Sequence, residues 1–133
     1  MAIERAGTVL LLAGDTLLLG MLLDLLADIG HRVLRSTDAE HGLALAARHR
    51  PDVILLDVGF PPDAQAEVLV RLKHERATAE IPVIALTDET ASLGEVGGLL
   101  DGRINKPFDI DVLEEHVART VRRPAMRSQT KAS

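Results

Sequence analysis

Three polar residues of different chemical types each follow a short, apolar, strand-like segment of the chain. These residues are Asp57, Thr87 and Lys106. A carboxylate nucleophile, a hydroxyl that donates a hydrogen bond and a cation are the groups that an aspartyl-phosphate site needs. The sequence therefore predicts a shared site for phosphoryl chemistry, provided that the three segments are neighbouring strands of one sheet.

Strand-like and helix-like segments alternate along the chain. Short apolar runs predict strands at about 8–12, 32–35, 53–56, 83–86 and 103–105, and helical spacing predicts helices at about 16–29, 37–49, 64–76, 90–101 and 109–121. Five strands alternating with five helices predict the α/β class, with a doubly wound five-stranded parallel sheet in a flavodoxin-like (βα)5 arrangement. Ligands in such folds bind beyond the carboxyl ends of the strands, where all three polar residues are expected.

Signals for helix ends support this division. Gly30 is a suitable C-terminal stop, the stretch Thr37-Asp-Ala-Glu40 has the spacing of a capping box, and Asp109 is a suitable cap for the last helix. The fourth helix is the weakest prediction. It contains Gly94, Gly97 and Gly98, and a glycine costs about 1 kcal/mol in a helix interior.

Length and composition limit the possible classes of protein. The 133 residues with 47% apolar content fit one domain, which we predict at 8–121, with an N-terminal extension at 1–7 and a flexible basic tail at 122–133. The formal charge of −5 argues against nucleic-acid binding. The absence of cysteine permits a cytoplasmic location. The apolar run 17–26 is too short to cross a membrane, and we expect none to be crossed.

Three motifs resemble those of the receiver domain of two-component response regulators. They are Asp57 with Pro61 four positions later, the run Ile81-Pro-Val-Ile-Ala-Leu-Thr87, and Lys106-Pro107, and the resemblance extends from about residue 8 to 121. It implies that Asp57 is the phosphoacceptor, that Thr87 hydrogen-bonds a phosphoryl oxygen, and that Lys106 pairs with the carboxylate or phosphate. It also implies a signalling domain rather than an enzyme, with a histidine kinase or a histidine phosphotransfer protein as partner.

The same comparison shows where the chain departs from the family. The acidic pair after the first strand, which normally holds Mg²⁺, falls on Ala13 and Gly14. Asp57 and the Gly59 carbonyl would remain as ligands, with Asp15 as a replacement ligand. Mg²⁺ prefers several hard oxygen ligands, so we expect weak magnesium binding and regard the chain as a degenerate receiver.

The position of the family's switch aromatic is also changed, because it falls on Arg103. A buried, unpaired guanidinium would cost several kcal/mol. We therefore expect Arg103 to stay exposed whatever happens at Asp57.

The first helix has apolar residues around most of its circumference. By the family pattern Leu18, Leu22, Leu25 and Ile29 face the core, and Leu19 and Leu23 are left exposed. An exposed apolar strip indicates a partner surface. We expect Leu19 and Leu23 to contact a partner or to form a homodimer.

Three functions remain in view. The first is a phosphoryl-accepting switch, and the second is a receiver-like module that binds partners without phosphorylation. The third is a flavodoxin-like cofactor enzyme, which is disfavoured because the chain has no tyrosine or tryptophan to stack on a flavin. No further domain is expected for transcription-factor activity. The histidines are interpreted as surface residues: His31, His41, His49, His74 and His116.

Overall fold

The computed structural model of the chain contains one parallel sheet with helices on both faces, and it describes residues 7–14, 16–57, 62–87, 94–105 and 108–121. The strands are β1 (Thr8–Leu12), β2 (Arg32–Ser36), β3 (Val53–Asp57), β4 (Val83–Thr87) and β5 (Gly102–Asn105). The helices are α1 (Thr16–Ile29), α2 (Ala39–His49), α3 (Pro62–His74) and α4 (Ile110–Val121). The strand order is β2-β1-β3-β4-β5, which confirms the predicted doubly wound sheet.

The core lies in two layers, one on each face of the sheet. Leu10 and Leu12 of β1 pack on the layer that α2 and α3 cover, while Val9 and Leu11 pack on the layer that α1 and α4 cover. Both faces of β3 and β4 are covered, and every residue of these two strands is buried. This explains why both strands are continuous apolar runs rather than alternating ones.

The predicted orientation of α1 is wrong at two positions. Leu19 is 6% exposed and belongs to the core with Leu22 and Leu26, whereas Ile29, which we expected in the core, is 45% exposed. Two other large apolar residues of α1, Leu17 and Met21, are also exposed to solvent, at 74% and 57%. The family pattern thus misplaces the buried stripe of this helix.

Leu22 and Leu25 agree better with the prediction. Leu22 is buried and Leu25 packs against the core, while Leu23 is half-buried. The side chain of Leu18 lies outside the described residues. Leu19 fills the core, so it is not exposed for the partner contact or the homodimer that we predicted through Leu19 and Leu23.

The helix ends follow the predicted signals with one change. Gly30 ends α1 with φ 111°, a conformation that favours glycine. At the start of α2 the cap is Asp38 rather than Thr37, and its carboxylate accepts a 2.8 Å hydrogen bond from the His41 N–H. At the start of α4, Asp109 accepts from the Asp111 N–H, as predicted.

The described part of the fourth helical segment is a 3₁₀ helix rather than the predicted α-helix. It spans Gly94–Leu99, while 90–93 of the predicted helix lie outside the described residues. Its end is fixed by Lys73 of α3, whose ammonium contacts the Asp101 carboxylate at 2.8 Å and the Ile81 carbonyl at 2.9 Å. The same carboxylate accepts from the Val83 N–H at 2.8 Å. One ion pair thus joins α3, the start of β4 and the approach to β5.

Two further expectations are corrected at the opposite end of the sheet. His31 is buried rather than exposed, and its Nδ1 accepts a 3.1 Å hydrogen bond from the Gly7 N–H. Gly7 also accepts from the Arg32 N–H, so it belongs to the fold rather than to an extension. In α4, Leu113 and Val117 are fully buried.

Val112 of α4 is 50% exposed. The predicted remainder of the extension, 1–6, and the tail, 122–133, lie outside the described residues. None of the described helices combines the length and the apolar character that crossing a bilayer requires.

Gly42 brings α2 close to β1, and this contact gives a test of packing. A Cβ added at Gly42 would lie 2.5 Å from Leu12 Cδ2, whereas one added at Gly20 of α1 meets nothing within 4 Å. Gly42→Ala should therefore lose about 1–2 kcal/mol of unfolding free energy, since the overpacking exceeds the gain in helix propensity. Gly20→Ala should gain about 0.5–1 kcal/mol. Urea unfolding of both variants measures this, and a stabilised Gly42→Ala would contradict the packing described.

His116 gives a test of pH dependence. Burial lowers the pKa of its imidazole below the usual 6.5, and the nearby Arg119 lowers it further, while Glu115 acts in the opposite direction. The unfolded chain then binds a proton more readily than the folded chain, so stability falls as the pH drops below about 6.5 towards the folded-state pKa. Unfolding in urea at pH 7.5 and 5.5 should show a larger loss for the natural chain than for His116→Gln. Equal losses would show that the pKa of His116 is the same in the folded and the unfolded chain.

Candidate functional site

Asp57 lies at the carboxyl end of the central strand. It is the last residue of β3, it is 1% exposed, and its backbone is paired with Leu86 of β4. Four apolar residues precede Asp57 in β3, and helices cover both faces of that strand, so Asp57 is buried where the strand ends. A carboxylate held at this depth is fixed in direction, which suits a nucleophile at the topological switch between β1 and β3.

Thr87 lies one residue further along the neighbouring strand. It is the last residue of β4, follows Leu86, and is 7% exposed. Adjacent strands are separated by about 4.8 Å and residues rise about 3.3 Å, so the Asp57 and Thr87 Cα atoms are about 6 Å apart. The structure thus brings together two of the three predicted site residues.

The third predicted residue, Lys106, lies outside the described residues. The strand that leads to it ends at Asn105, which is paired with Thr87. Arg103, two positions earlier in β5, is exposed in this structure. Its response to phosphorylation stays a prediction.

The end of β1 has no carboxylate where the family has two. Ala13 is buried, and its N–H donates a 3.2 Å hydrogen bond to the Ser36 carbonyl of β2, while Gly14 is exposed. The other proposed magnesium ligands, Asp15 and Gly59, lie outside the described residues.

The fit of a magnesium ion can therefore be judged on the part of the chain that is described. No group of three or more histidine, aspartate or glutamate residues within that part could hold a metal ion. Among the described residues, Asp57 is the one that offers a carboxylate at the site edge, and Ala13 offers no donor side chain in place of an acid. These described residues do not fit a magnesium site of the family's kind.

A polar cluster that we did not predict lies at the carboxyl end of β2, on the same edge of the sheet as Asp57. The buried Ser36 hydroxyl donates to the Asp38 carbonyl at 2.9 Å and accepts from the Asp38 N–H at 3.0 Å, and His41 Nδ1 lies 3.1 Å from the same oxygen. These hydrogen bonds fix the end of β2, where the Ser36 carbonyl accepts a hydrogen bond from the Ala13 N–H. The polar stretch between β2 and α2 indicates such a cluster in the sequence, although the contact with His41 depends on how α2 approaches the strand.

An open groove of about 420 Å³ adjoins this cluster. One wall is Leu19 and Gly20 of α1, and the rest of the lining comes from the β2–α2 junction: Arg35, Ser36, Thr37 and His41. The groove lies between α1 and the β2–α2 junction at the β2 edge of the sheet, and it is separate from Asp57, which lies two strands away.

No family model matches the chain, but individual proteins do. Over 107 residues it is 36% identical to the transcriptional regulatory protein AfsQ1 of Streptomyces coelicolor, covering 78% of this chain and 46% of that protein. Over 87 residues it is 32% identical to protein PilH of Pseudomonas aeruginosa, covering 63% of this chain and 72% of that protein. The chain spans about half the length of the transcriptional regulators that it matches.

Solved structures agree with these sequences. The chemotaxis response regulator CheY4 of Vibrio cholerae superposes with a TM-score of 0.76 and 25% identity, over 87% of this chain and 99% of that one. The strand order and the position of Asp57 at the end of β3 match the arrangement that the resemblance implied. The chain belongs to the receiver-domain family of two-component response regulators.

Proposed function

We propose that this receiver domain, residues 8–121, accepts a phosphoryl group on Asp57 from a histidine kinase or a histidine phosphotransfer protein in the cytoplasm. One observation carries the proposal. The carboxylate of Asp57 is buried at the carboxyl end of the central strand, with Thr87 at the end of the next one. Burying a carboxylate costs free energy, and a phosphoacceptor at this edge of the sheet accounts for the position of Asp57.

The chemistry is a phosphoryl transfer between a nitrogen and an oxygen. An Asp57 carboxylate oxygen attacks the phosphorus of phosphohistidine, the new P–O bond forms as the P–N bond breaks, and the electron pair returns to the imidazole, which takes up a proton. Thr87 donates a hydrogen bond to a phosphoryl oxygen. Lys106 supplies positive charge that offsets the approach of two anionic groups.

Magnesium plays a smaller part in this proposal than in the family at large. The receiver domain of the sensor histidine kinase PA1611 of Pseudomonas aeruginosa has a magnesium ion coordinated in its active-site cleft, and such an ion would offset repulsion between a carboxylate and a phosphoryl group. Ala13 and Gly14 remove the acidic pair, and a unit-charge pair at ~4 Å is worth roughly 4 kcal/mol at an effective dielectric of 20. Weak binding is therefore the expected state.

The proposal is tested by treating the purified chain with acetyl phosphate and weighing it, with Mg²⁺ and with a chelator. Addition of one phosphoryl group is expected, and Asp57→Asn should remove it. Because the acidic pair is replaced by Ala13 and Gly14, removing Mg²⁺ with the chelator should slow the addition by less than about tenfold.

The second candidate function is a receiver-like module that binds partners without phosphorylation. The replacement of the acidic pair by Ala13 and Gly14, together with the exposed Arg103, favours it. No mass gain with acetyl phosphate, in a chain that still unfolds cooperatively, would select this alternative.

A further inference from the structure

The groove between α1 and the β2–α2 junction has one polar side and one apolar side. The polar side carries the Arg35 guanidinium, the Thr37 hydroxyl and the His41 imidazole, and all three residues are exposed. The opposite wall, Leu19 and Gly20 of α1, has no polar side chain. Its volume of about 420 Å³ falls within the range of small-molecule sites, roughly 300–1,000 Å³. The groove can therefore hold a small ligand that is polar at one end and apolar at the other.

The charge of the groove favours an anion. Arg35 forms no ion pair with any residue of the described segments, and within those segments no carboxylate lines the groove. The carboxylate of Asp38, three positions along the chain, is held at the start of α2, where it accepts from the His41 N–H at 2.8 Å. A guanidinium without a carboxylate partner is well suited to a bidentate contact with an oxyanion.

The hydrogen bonds of Ser36 determine which nitrogen of His41 carries a proton. The Ser36 hydroxyl has a single proton, which it donates to the Asp38 carbonyl. The 3.1 Å contact between Ser36 and His41 Nδ1 is then a hydrogen bond in which Nδ1 is the donor. In the neutral imidazole the other nitrogen, Nε2, is consequently an acceptor, and ring geometry directs it away from Ser36. His41 therefore suits a ligand whose charged group also carries a proton.

We propose that this groove binds a small-molecule phosphate monoester. The phosphoryl group contacts Arg35, Thr37 and His41, and the body of the ester covers Leu19 and Gly20. A phosphoryl group has three terminal oxygens for these three polar groups, whereas a carboxylate has only two. The second pKa of a phosphate monoester is about 6, so near neutral pH one oxygen can carry the proton that His41 Nε2 accepts. A sulfate ester has the same three oxygens and no such proton.

The test titrates the natural chain with phenyl phosphate and follows the backbone amide signals by NMR. The amides of Gly20, Thr37 and His41 should shift with one common Kd. Asp57→Asn should leave that Kd unchanged, because Asp57 lies two strands from the groove. Phenyl sulfate should bind about fivefold more weakly than phenyl phosphate, because the hydrogen bond to Nε2 is lost.

Two substitutions test the two sides of the groove separately. Arg35→Gln should weaken the binding of phenyl phosphate about tenfold, because a charge-assisted contact is lost. Its matched control is Arg32→Gln, which removes an exposed arginine at the start of the same strand and should leave binding unchanged. Gly20→Leu should weaken phenyl phosphate but not inorganic phosphate, since a Cβ at Gly20 meets nothing within 4 Å and the new side chain fills the groove. Cooperative unfolding in urea establishes that each variant is folded.

Three results would overturn the proposal. Shifts confined to the amides of Asp57 and Thr87 would mean that phenyl phosphate binds at the proposed phosphoacceptor and not in the groove. Equal binding of phenyl sulfate, or of inorganic phosphate, would show that the groove does not select a phosphate monoester. Equal effects of Arg35→Gln and Arg32→Gln would reduce the binding to general charge attraction. None of these measurements requires phosphorylation of Asp57, so a failure here is separate from a failure of the proposed function.

Discussion

Leu19→Ala is expected to lower the free energy of unfolding by about 3 kcal/mol. Leu19 is 6% exposed and packs in the core layer with Leu22 and Leu26, and replacing a buried leucine with alanine removes apolar contacts and leaves a cavity. Urea denaturation at constant pH measures the loss. It tests the orientation of α1 directly, since the family pattern places this residue on the surface.

Leu17→Ala is the matched control, two positions earlier in the same helix. Leu17 is 74% exposed, so the change should stay within about 0.5 kcal/mol. A Leu19→Ala variant as stable as Leu17→Ala would mean that α1 is turned from the orientation described.

Lys73→Met is expected to cost about 2–3 kcal/mol. The methionine keeps the apolar stem, but it removes the ammonium that contacts the Asp101 carboxylate at 2.8 Å and the Ile81 carbonyl at 2.9 Å. The Lys73 and Asp101 side chains are 13% and 26% exposed, so the remaining charge is only partly solvated. Breaking a fully buried pair costs about 3–5 kcal/mol, and the partial exposure lowers that figure.

The matched control lies on the same helix, where Arg71 contacts the Glu40 carboxylate at 2.7 Å. Glu40 raises the pKa of the Arg71 guanidinium through its hydrogen bond. That pair is well exposed, and exposed pairs add little to stability. Arg71→Met should leave the urea midpoint within experimental error. Equal midpoints for the two variants would show that the Lys73 pair does not fix the short fourth segment.

The sheet and its site edge could be predicted because local pattern determines them. Asp57 and Thr87 follow apolar runs long enough to be buried strands, and parallel strands bring their carboxyl ends to one edge. Right-handed crossovers then predict a doubly wound sheet, whereas the order β2-β1-β3-β4-β5 was not predicted. The prediction of a shared site needed only the apolar runs and the residues at their ends.

The remaining features depend on contacts between distant elements. Apolar residues surround most of α1, so several rotations of the helix could bury a leucine stripe, and packing selected Leu19 and Leu26. Likewise, glycines weakened the fourth helix, but the 3₁₀ segment is held by Lys73 from another helix. The hydrogen bonds between Ser36 and His41 arise only when α2 packs beside β2.

The central claim is that Asp57 is the phosphoacceptor, and chemical trapping tests it most directly. Borohydride reduces an acyl phosphate to an alcohol, so a phosphorylated aspartate is converted to homoserine, which peptide mass spectrometry locates. After treatment with acetyl phosphate, homoserine is expected at position 57 and at no other aspartate, with Asp52, which accepts a hydrogen bond from the Thr8 N–H at the opposite end of the strands, as the internal control. Homoserine at another position, or aspartate unchanged at 57 in a folded chain, would contradict the account.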